Sequence, residues 1–370
     1  MSKAKPQITC NVKTYRQSKG WSQSELADKI GVKRQAIYDI ESGRYLPNTA
    51  VALQLARNFG CRVEDLFVDD SVRDKEAVVM VGKNNSQRIS AARVRGRLVG
   101  FPLDETGDMA NILTSADAIV SKDGDLAELL CPPAYLDRTI VLMGCDPAFD
   151  ILGAHVARIA PDSRIHCRFA TSHLALERLG QGYTHIAGTH LHNSDNNESN
   201  VSKASDALSG TKGVVVGFSF MEEGLLVARG NPLKIKGIQD LVRTDVRFVN
   251  RDAGAALRVL LDDLLQKAGI PVTAVNGYER LAYSHTQGAR MVNFNLADAA
   301  LGLRVIANAF NMDFVTLDAV RCDLVIPSDM MELATVKVVM DVLQSRAFRK
   351  ELMSIPGYET TMTGKVIAKI

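Results

Sequence analysis

The spacing of apolar positions changes character twice along this chain. Up to residue 68 it is helical and broken into short pieces. Leu26, Ala27 and Ile30 share one face, then Ala36, Ile37 and Ile40, then Val51, Leu53, Leu55 and Ala56, with Gly31, Gly43 and Gly60 where each stretch stops. Glycine takes the left-handed conformation that ends a helix at no steric cost. Ser22-Gln23-Ser24-Glu25 has the form of a capping box, and Asn48 is placed as a cap. This predicts a bundle of five short helices over 12–68. Beyond a charged hinge at 69–76, short runs at 78–81, 91–94 and 97–101 are separated by Gly and Asn and predict a small β unit. From residue 138, apolar runs at 139–143, 165–168, 184–187, 225–228, 246–250 and 297–303 alternate with amphipathic stretches at 147–159, 172–179 and 254–268. That rhythm belongs to a mostly parallel sheet covered by helices.

The expected architecture is therefore multidomain: an all-α domain at 1–68, a β-rich connector at 69–138 and a two-lobed α/β domain at 139–370. One lobe takes about 139–222 plus the C-terminal part, the other about 223–310, with Arg229-Gly230-Asn231-Pro232 as a turn between strands. The Ser- and Asn-rich run from His192 onward to Gly213 reads as a mobile surface loop.

Composition narrows the class. At 46% hydrophobic and 23% charged residues the chain is neither disordered nor membrane-embedded. It has no run of about 18 apolar residues and no apolar stretch near the first residue, so a cytoplasmic location without membrane association is expected. Cys10, Cys61, Cys131, Cys145, Cys167 and Cys322 form no C-x-x-C pair, which fits a reducing compartment. The formal charge of +2 hides an asymmetry: residues 1–68 hold 11 Lys and Arg against 6 Asp and Glu, while the remainder is net negative. A basic N-terminal piece points to nucleic acid.

The stretch Trp21-Ser-Gln-Ser-Glu-Leu-Ala-Asp-Lys-Ile-Gly-Val-Lys-Arg-Gln-Ala-Ile-Tyr-Asp-Ile-Glu-Ser-Gly-Arg44 resembles the lambda-repressor/Cro-like (Xre) helix-turn-helix family over about 12–68. The resemblance implies a recognition helix at 33–42 in the major groove of operator DNA and binding as a homodimer to two half-sites. Arg34 and Gln35 are then the base readers, since arginine pairs bidentately with guanine and glutamine with adenine; Tyr38 and Asp39 follow one turn later. Gln23, Lys33 and Arg44 are placed to hold phosphates. Lys33 stands where the family often has a Ser or Thr cap.

The blocks Gly144-Cys-Asp-Pro-Ala-Phe-Asp150, Gly188-Thr-His-Leu-His192, Gly224-Leu-Leu-Val-Ala-Arg-Gly-Asn-Pro232, Asp245-Val-Arg-Phe-Val-Asn-Arg251 and residues 352–357 resemble type 2 periplasmic-binding-protein-like domains of cytoplasmic regulators, relatives of molybdate- and tungstate-binding proteins. This implies an effector in the cleft between lobes, either an oxyanion such as molybdate or tungstate, or an organic ligand related or unrelated to the molybdenum cofactor. Ligands of open α/β sheets sit beyond the carboxyl ends of strands, at helix N-termini that favour anions. Three loops have that placement: Gly144-Cys145-Asp146, Thr171-Ser172-His173, and Arg251-Asp252-Ala253-Gly254 with Arg258 beyond it. Thr189, His190, Tyr283 and His285 complete the candidate ligand set. Relatives commonly carry Ser or Thr after Arg251, where this chain has Gly254-Ala255-Ala256-Leu257, and Asp146 and Asp252 oppose an anion unless they face away.

Other readings stay open on the residues. Convergence of His173, His185, His190, His192 and His285 would make a metal site, Cys145 before a helix would suit a redox switch, and Arg88, Arg93, Arg95 and Arg97 could meet DNA flanks or an acidic neighbour. The alternative to a ligand-responsive regulator is an enzyme or metal sensor with an accessory helix-turn-helix. With no G-x-S-x-G, H-E-x-x-H, P-loop or dinucleotide fingerprint, a non-enzyme without cofactor or resident metal is expected.

Overall fold

A computed structural model describes residues 8–69, 75–82, 86–103, 114–191 and 198–370. The chain divides into two compact units, Met1–Glu76 with Leu126–Leu129, and Ala77–Asp125 with Leu130–Ile370.

In the first unit, strands β1 (Ile8–Cys10) and β2 (Phe67–Asp69) pair antiparallel around α1 (Val12–Ser18), α2 (Gln23–Ile30), α3 (Arg34–Glu41), α4 (Thr49–Phe59) and α5 (Val63–Leu66). The expected caps are present: Ser22 and Glu25 close a reciprocal capping box, Gly31 and Gly60 end α2 and α4 at φ 69 and 73, and the Asn48 side chain accepts from Val51 N–H. Val12, Leu26, Ile30, Ile37, Ile40, Leu55, Phe59 and Leu66 form the core, with Trp21 stacked on Phe59. In α4 the buried stripe is Ala52, Leu55, Ala56 and Phe59 rather than the expected set, and Leu53 is exposed. Residues three and four apart share a helix face, and Leu53 lies off that face.

Strands β3 (Lys75–Met80), β4 (Arg88–Val94), β5 (Arg97–Pro102), β6 (Ala118–Val120) and β7 (Leu126–Leu129) make a small closed barrel. The β connector is thus present; of its hinge, residues 70–74 lie outside the described residues. After α6 (Pro133–Asp137) comes the α/β domain: β8 (Thr139–Gly144), α7 (Phe149–Ile159), β9 (Arg164–Phe169), α8 (Ser172–Gly180), β10 (Ile186–Thr189), α9 (Ser199–Leu208), β11 (Gly213–Val227), β12 (Phe248–Arg251), α10 (Ala256–Lys267), β13 (Leu281–Ala282), α11 (His285–Asn293), β14 (Ala299–Leu303), α12 (Arg304–Ala309), β15 (Asp313–Pro327), α13 (Ala334–Gln344), α14 (Arg346–Met353), β16 (Tyr358–Glu359) and β17 (Val366–Lys369).

Two lobes share one sheet of order β13-β12-β14-β11-β15-β10-β8-β9. In one lobe β8 lies between parallel β9 and β10, and β10 pairs antiparallel with β15. In the other, β12 lies between parallel β13 and β14, and β14 pairs antiparallel with β11. Each lobe therefore repeats one topology, and β11 and β15, paired antiparallel along most of their length, tie the two together. Register shifts interrupt that pairing at Gly217/Ser219 and at Glu223/Gly224. Such irregularities re-aim individual side chains.

The polar segment read as a loop is in part a helix. Residues 192–197 lie outside the described residues, but α9 follows directly, and its Asn200, Ala204 and Leu208 pack inward at helical spacing. Two sparse apolar positions and one bonded amide suffice where the rest of the helix faces solvent.

The four arginines of the connector meet neighbours within their own unit. Arg93 pairs with Asp137 at 3.1 Å and Arg95 with Asp329 at 2.8 Å, while Arg97 donates to the carbonyl of Gly182 and Arg88 to that of Thr114. Of the two alternatives for this cluster, the acidic neighbour is the one present, for Arg93 and Arg95. Arg164 reaches in the opposite direction, gripping the buried carboxylate of Asp117 at 2.7 and 2.8 Å and the carbonyl of Ala91. These bonds fix the barrel to the lobe built on β8.

Candidate functional site

In the first unit, Lys33 precedes α3 with no side-chain cap, as its residue type implied, and leaves the first N–H groups of α3 open. Lys33, Arg34, Gln35, Tyr38 and Arg44 are exposed. The Gln35 amide donates to Asp39 Oδ1 at 3.1 Å, which fixes both along one helix face, and the Arg44 guanidinium lies over the Tyr38 ring at 5.5 Å. Gln23 is placed differently from expectation: half-buried, it donates to Glu41 Oε2, which Arg16 also holds. That bond draws its amide toward α3. The face presented by α3 is polar and carries Lys33 and Arg34 at its leading end.

In the second unit, the carboxyl ends of β8 and β12 are equivalent places in the two repeated topologies, and both open on one small cavity. It is lined by Cys145, Phe169, Thr171, His190, Arg251, Ala255, Ala256, Leu257 and His285. Five of the expected residues thus come together: Cys145, Thr171, His190, Arg251 and His285. At Gly254 a Cβ would meet Thr171 Cγ2 of the other lobe at 3.9 Å, an ordinary van der Waals contact.

The cavity is lined by groups held without partners. Arg251 is 3% exposed, and its Nε and Nη1 have no hydrogen-bond partner; Asp252 Oδ1 stands 3.7 Å from its Nη2. Burial pulls its pKa below the ordinary guanidinium value despite the opposing pull of Asp252, Cys145 and Glu223. His285 is also buried with Nδ1 unpaired, and burial together with the charges of Arg251 and His190 holds its pKa well down, so the ring is neutral. His190 behaves oppositely. Burial disfavours its charge, but Cys145, Glu223 and Asp146 outweigh that and raise its pKa to about 9. Cys145 Sγ lies 3.3 Å from His190 Nδ1, and Glu223 Oε1 lies 3.4 Å from His190 Nε2.

The remaining expected residues stand outside the cavity wall. Asp146 faces away: its carboxylate accepts from Tyr358 Oη, Ser219 Oγ and the N–H of Ala148, and burial raises its pKa. Its objection to an anion is therefore removed. Ser172 Oγ accepts from the His190 N–H and sets that loop. Thr189 donates to Asn200, and Gly144 packs beneath Phe149, where a Cβ would come within 2.6 Å of the ring. Arg258 stacks on Tyr278 and donates to the carbonyl of Arg251. His173 is exposed, as is Tyr283 at 66%; neither reaches the cavity, because each precedes or begins a helix whose inward face starts elsewhere.

Of the histidines considered for a metal site, His190 and His285 meet at the cavity, and the described His173 and His185 do not. His185 accepts from Val141 N–H through Nδ1 and bonds the carbonyl of Arg93 through Nε2, so both ring nitrogens are committed against the barrel, and burial lowers its pKa to about 4. His192 lies outside the described residues. Among the described residues no group of three or more His, Cys, Asp or Glu could hold a metal ion. Glu223 was missed by sequence reasoning, as were Phe169 and the Ala255-Ala256-Leu257 wall. The one signal for Glu223 was the carboxylate pair Glu222-Glu223 inside a mostly apolar strand.

The PBP superfamily domain matches residues 153–344, and a helix-turn-helix domain matches residues 12–66. The uncharacterized protein YvgK of Bacillus subtilis is 31% identical over 228 residues, 62% of this chain and 73% of that protein. An uncharacterized HTH-type transcriptional regulator of Archaeoglobus fulgidus is 42% identical over 59 residues, 16% of this chain and 84% of that protein. Among solved structures, Peb3 from Campylobacter jejuni is similar with a TM-score of 0.44 and 15% identity, over 60% of this chain and 99% of that one. No helix among the described residues is long and apolar enough to cross a membrane.

Proposed function

Because this chain belongs to the PBP superfamily and carries an Xre-like helix-turn-helix domain at its N-terminus, we propose that it is a cytoplasmic one-component transcription regulator that takes a small anion in its inter-lobe cavity. The observation that carries this reading is Arg251, a buried guanidinium with two N–H-bearing nitrogens unpaired at the cavity wall. Leaving such donors unsatisfied is costly, and an anionic ligand is the partner that removes the cost. The cavity is too small for a large sugar. A wall of Phe169, Ala255, Ala256 and Leu257 favours an organic anion over molybdate or tungstate, because a tetrahedral oxyanion needs donors on every side.

On this reading the protein binds operator DNA as a homodimer, with Arg34 and Gln35 at base edges, Tyr38 and Asp39 beyond them, and Lys33, Arg44 and the open N-terminus of α3 at phosphates. Ligand shifts the DNA-binding equilibrium only if it prefers one state, and coupling of about 5- to 150-fold is the usual range. The test selects a duplex from the source genome with the full-length protein, then measures its Kd at fixed salt while small carboxylates and oxyanions are titrated. Wild type should respond to at least one anion, and Arg251→Gln to none. An operator Kd that stays constant while thermal shift confirms a bound anion would overturn the proposal.

A further inference from the structure

An arrangement in the cavity goes unused by a sensor that merely holds an anion. Cys145 Sγ lies 3.3 Å from His190 Nδ1 and 3.7 Å from Nε2, and Glu223 Oε1 lies 3.4 Å from Nε2. His190 is 5% exposed and Glu223 is fully buried, and Ser172 Oγ holds the His190 backbone N–H. A thiol, a histidine within reach and a buried carboxylate beside the ring are the parts from which an activated nucleophile is built. The His190 pKa is raised to about 9, with Cys145 first among the groups that raise it, so the imidazole beside the sulfur carries a proton. Arg251 and His285 point unpaired polar atoms at the same small space from the other lobe.

We propose that Cys145 is a reactive nucleophile and that this site captures small carboxylates bearing an electrophilic carbonyl, an aldehyde or an α-oxo acid, as reversible covalent adducts. The inference rests on the anion reading of the cavity, with Arg251 holding the carboxylate. His190 takes the thiol proton, sulfur bonds the carbonyl carbon, and the π pair of the C=O moves to oxygen, which receives the proton back from His190. Thiol and carbonyl become a hemithioacetal. Nothing leaves and nothing is oxidised, so the bond reverses when the ligand is depleted, as a sensor requires.

Iodoacetate and iodoacetamide test this on the full-length protein. Each forms an S–C bond with loss of iodide, but only iodoacetate carries a carboxylate for Arg251. Peptide mass mapping should find Cys145 alkylated at least roughly tenfold faster than Cys10 or Cys61, which are half-buried thiols whose pKa burial raises. Iodoacetate should outpace iodoacetamide at Cys145, Arg251→Gln should reverse that order, and His190→Gln should slow both reagents. Glyoxylate and pyruvate should protect wild-type Cys145 from iodoacetamide, a measurement that needs no variant. Cys145 reacting no faster than Cys10 and Cys61, or glyoxylate giving no more protection than acetate, would overturn the proposal. If operator affinity still responds to acetate or sulfate in that case, the regulator reading stands while this one fails.

Discussion

Replacing Arg251 by Met should make the ligand-free protein more stable while abolishing its response to anions. The folded-state pKa of Arg251 lies below its ordinary value because burial outweighs the attraction of Asp252, Cys145 and Glu223. For a cation, a folded pKa below the unfolded one means that the charged form is less favourable in the fold than in the unfolded chain. Arginine is protonated throughout the working range, so this loss is present at every accessible pH. Exchange of buried ionic groups for apolar ones of similar volume can gain about 1–4 kcal/mol. Here Glu223 and Cys145 lose a neighbouring positive charge, which places the expectation near the low end, about 1–2 kcal/mol. At about 2–4 °C per kcal/mol for a large domain, the midpoint should rise by about 2–8 °C. Calorimetry of the full-length protein, with and without a saturating anion, measures both effects. Wild type should gain about 2.7 kcal/mol at a ligand concentration of 100 times Kd, and the Met variant nothing. A variant destabilised by more than about 1 kcal/mol would refute the reasoning, because Arg251 would then be satisfied without ligand.

Arg164→Met should cost on the order of 3 kcal/mol in the second unit, because it strands the buried Asp117 carboxylate, and a double-mutant cycle with Asp117→Asn should recover most of that as coupling. Replacing Arg34 or Gln35 by Ala should relax operator choice by about 1–3 kcal/mol per lost base contact, whereas Lys33→Ala and Arg44→Ala should weaken all duplexes alike and flatten the salt dependence, read by anisotropy on matched and scrambled duplexes. His190 has a folded pKa of about 9 against an ordinary 6.5, so its stabilising contribution is complete below pH 6.5 and fades as pH rises through 9. Urea midpoints of wild type should fall across that window, and those of His190→Gln should stay flatter.

Where the sequence spoke through short-range rules, the fold followed it. The capping box at Ser22, the glycines at 31 and 60 and the stripe of Leu26, Ala27 and Ile30 are local statements, each enforced within one turn of helix. The α/β rhythm placed the loops after β8, β9 and β12 at the cavity for the same reason. The strands that join the lobes were less legible. Residues 213–227 are buried on both faces, so they carry no alternation to mark a strand, and only 225–228 was read as one. Glu223 faces His190 from β11, where its cross-strand partner, Asp318 on β15, is nearly a hundred residues away in sequence. Tyr283 and His173 were over-read: proximity in sequence to His285 and Ser172 does not settle which way a side chain leaves a helix start.

The equivalence of the lobes explains why the chemistry meets where it does. Cys145 follows the central strand of one lobe and Arg251 ends the central strand of the other, so a single repeated topology delivers a thiol and a cation to opposite sides of one cavity. Each of the barrel bonds described above that reaches the α/β domain goes to the lobe built on β8: Arg164 to Asp117, Arg95 to Asp329, Arg97 to Gly182 and His185 to Arg93. The barrel strands that carry these bonds are therefore tied to the first lobe, and β11 and β15 join that lobe to the second. Glu223 stands at the irregularity in that pair and faces His190 on the first lobe. On the proposed reading, occupancy of the cavity is felt first at this carboxylate, and any change in its pairing with His190 acts on the strands that join the lobes.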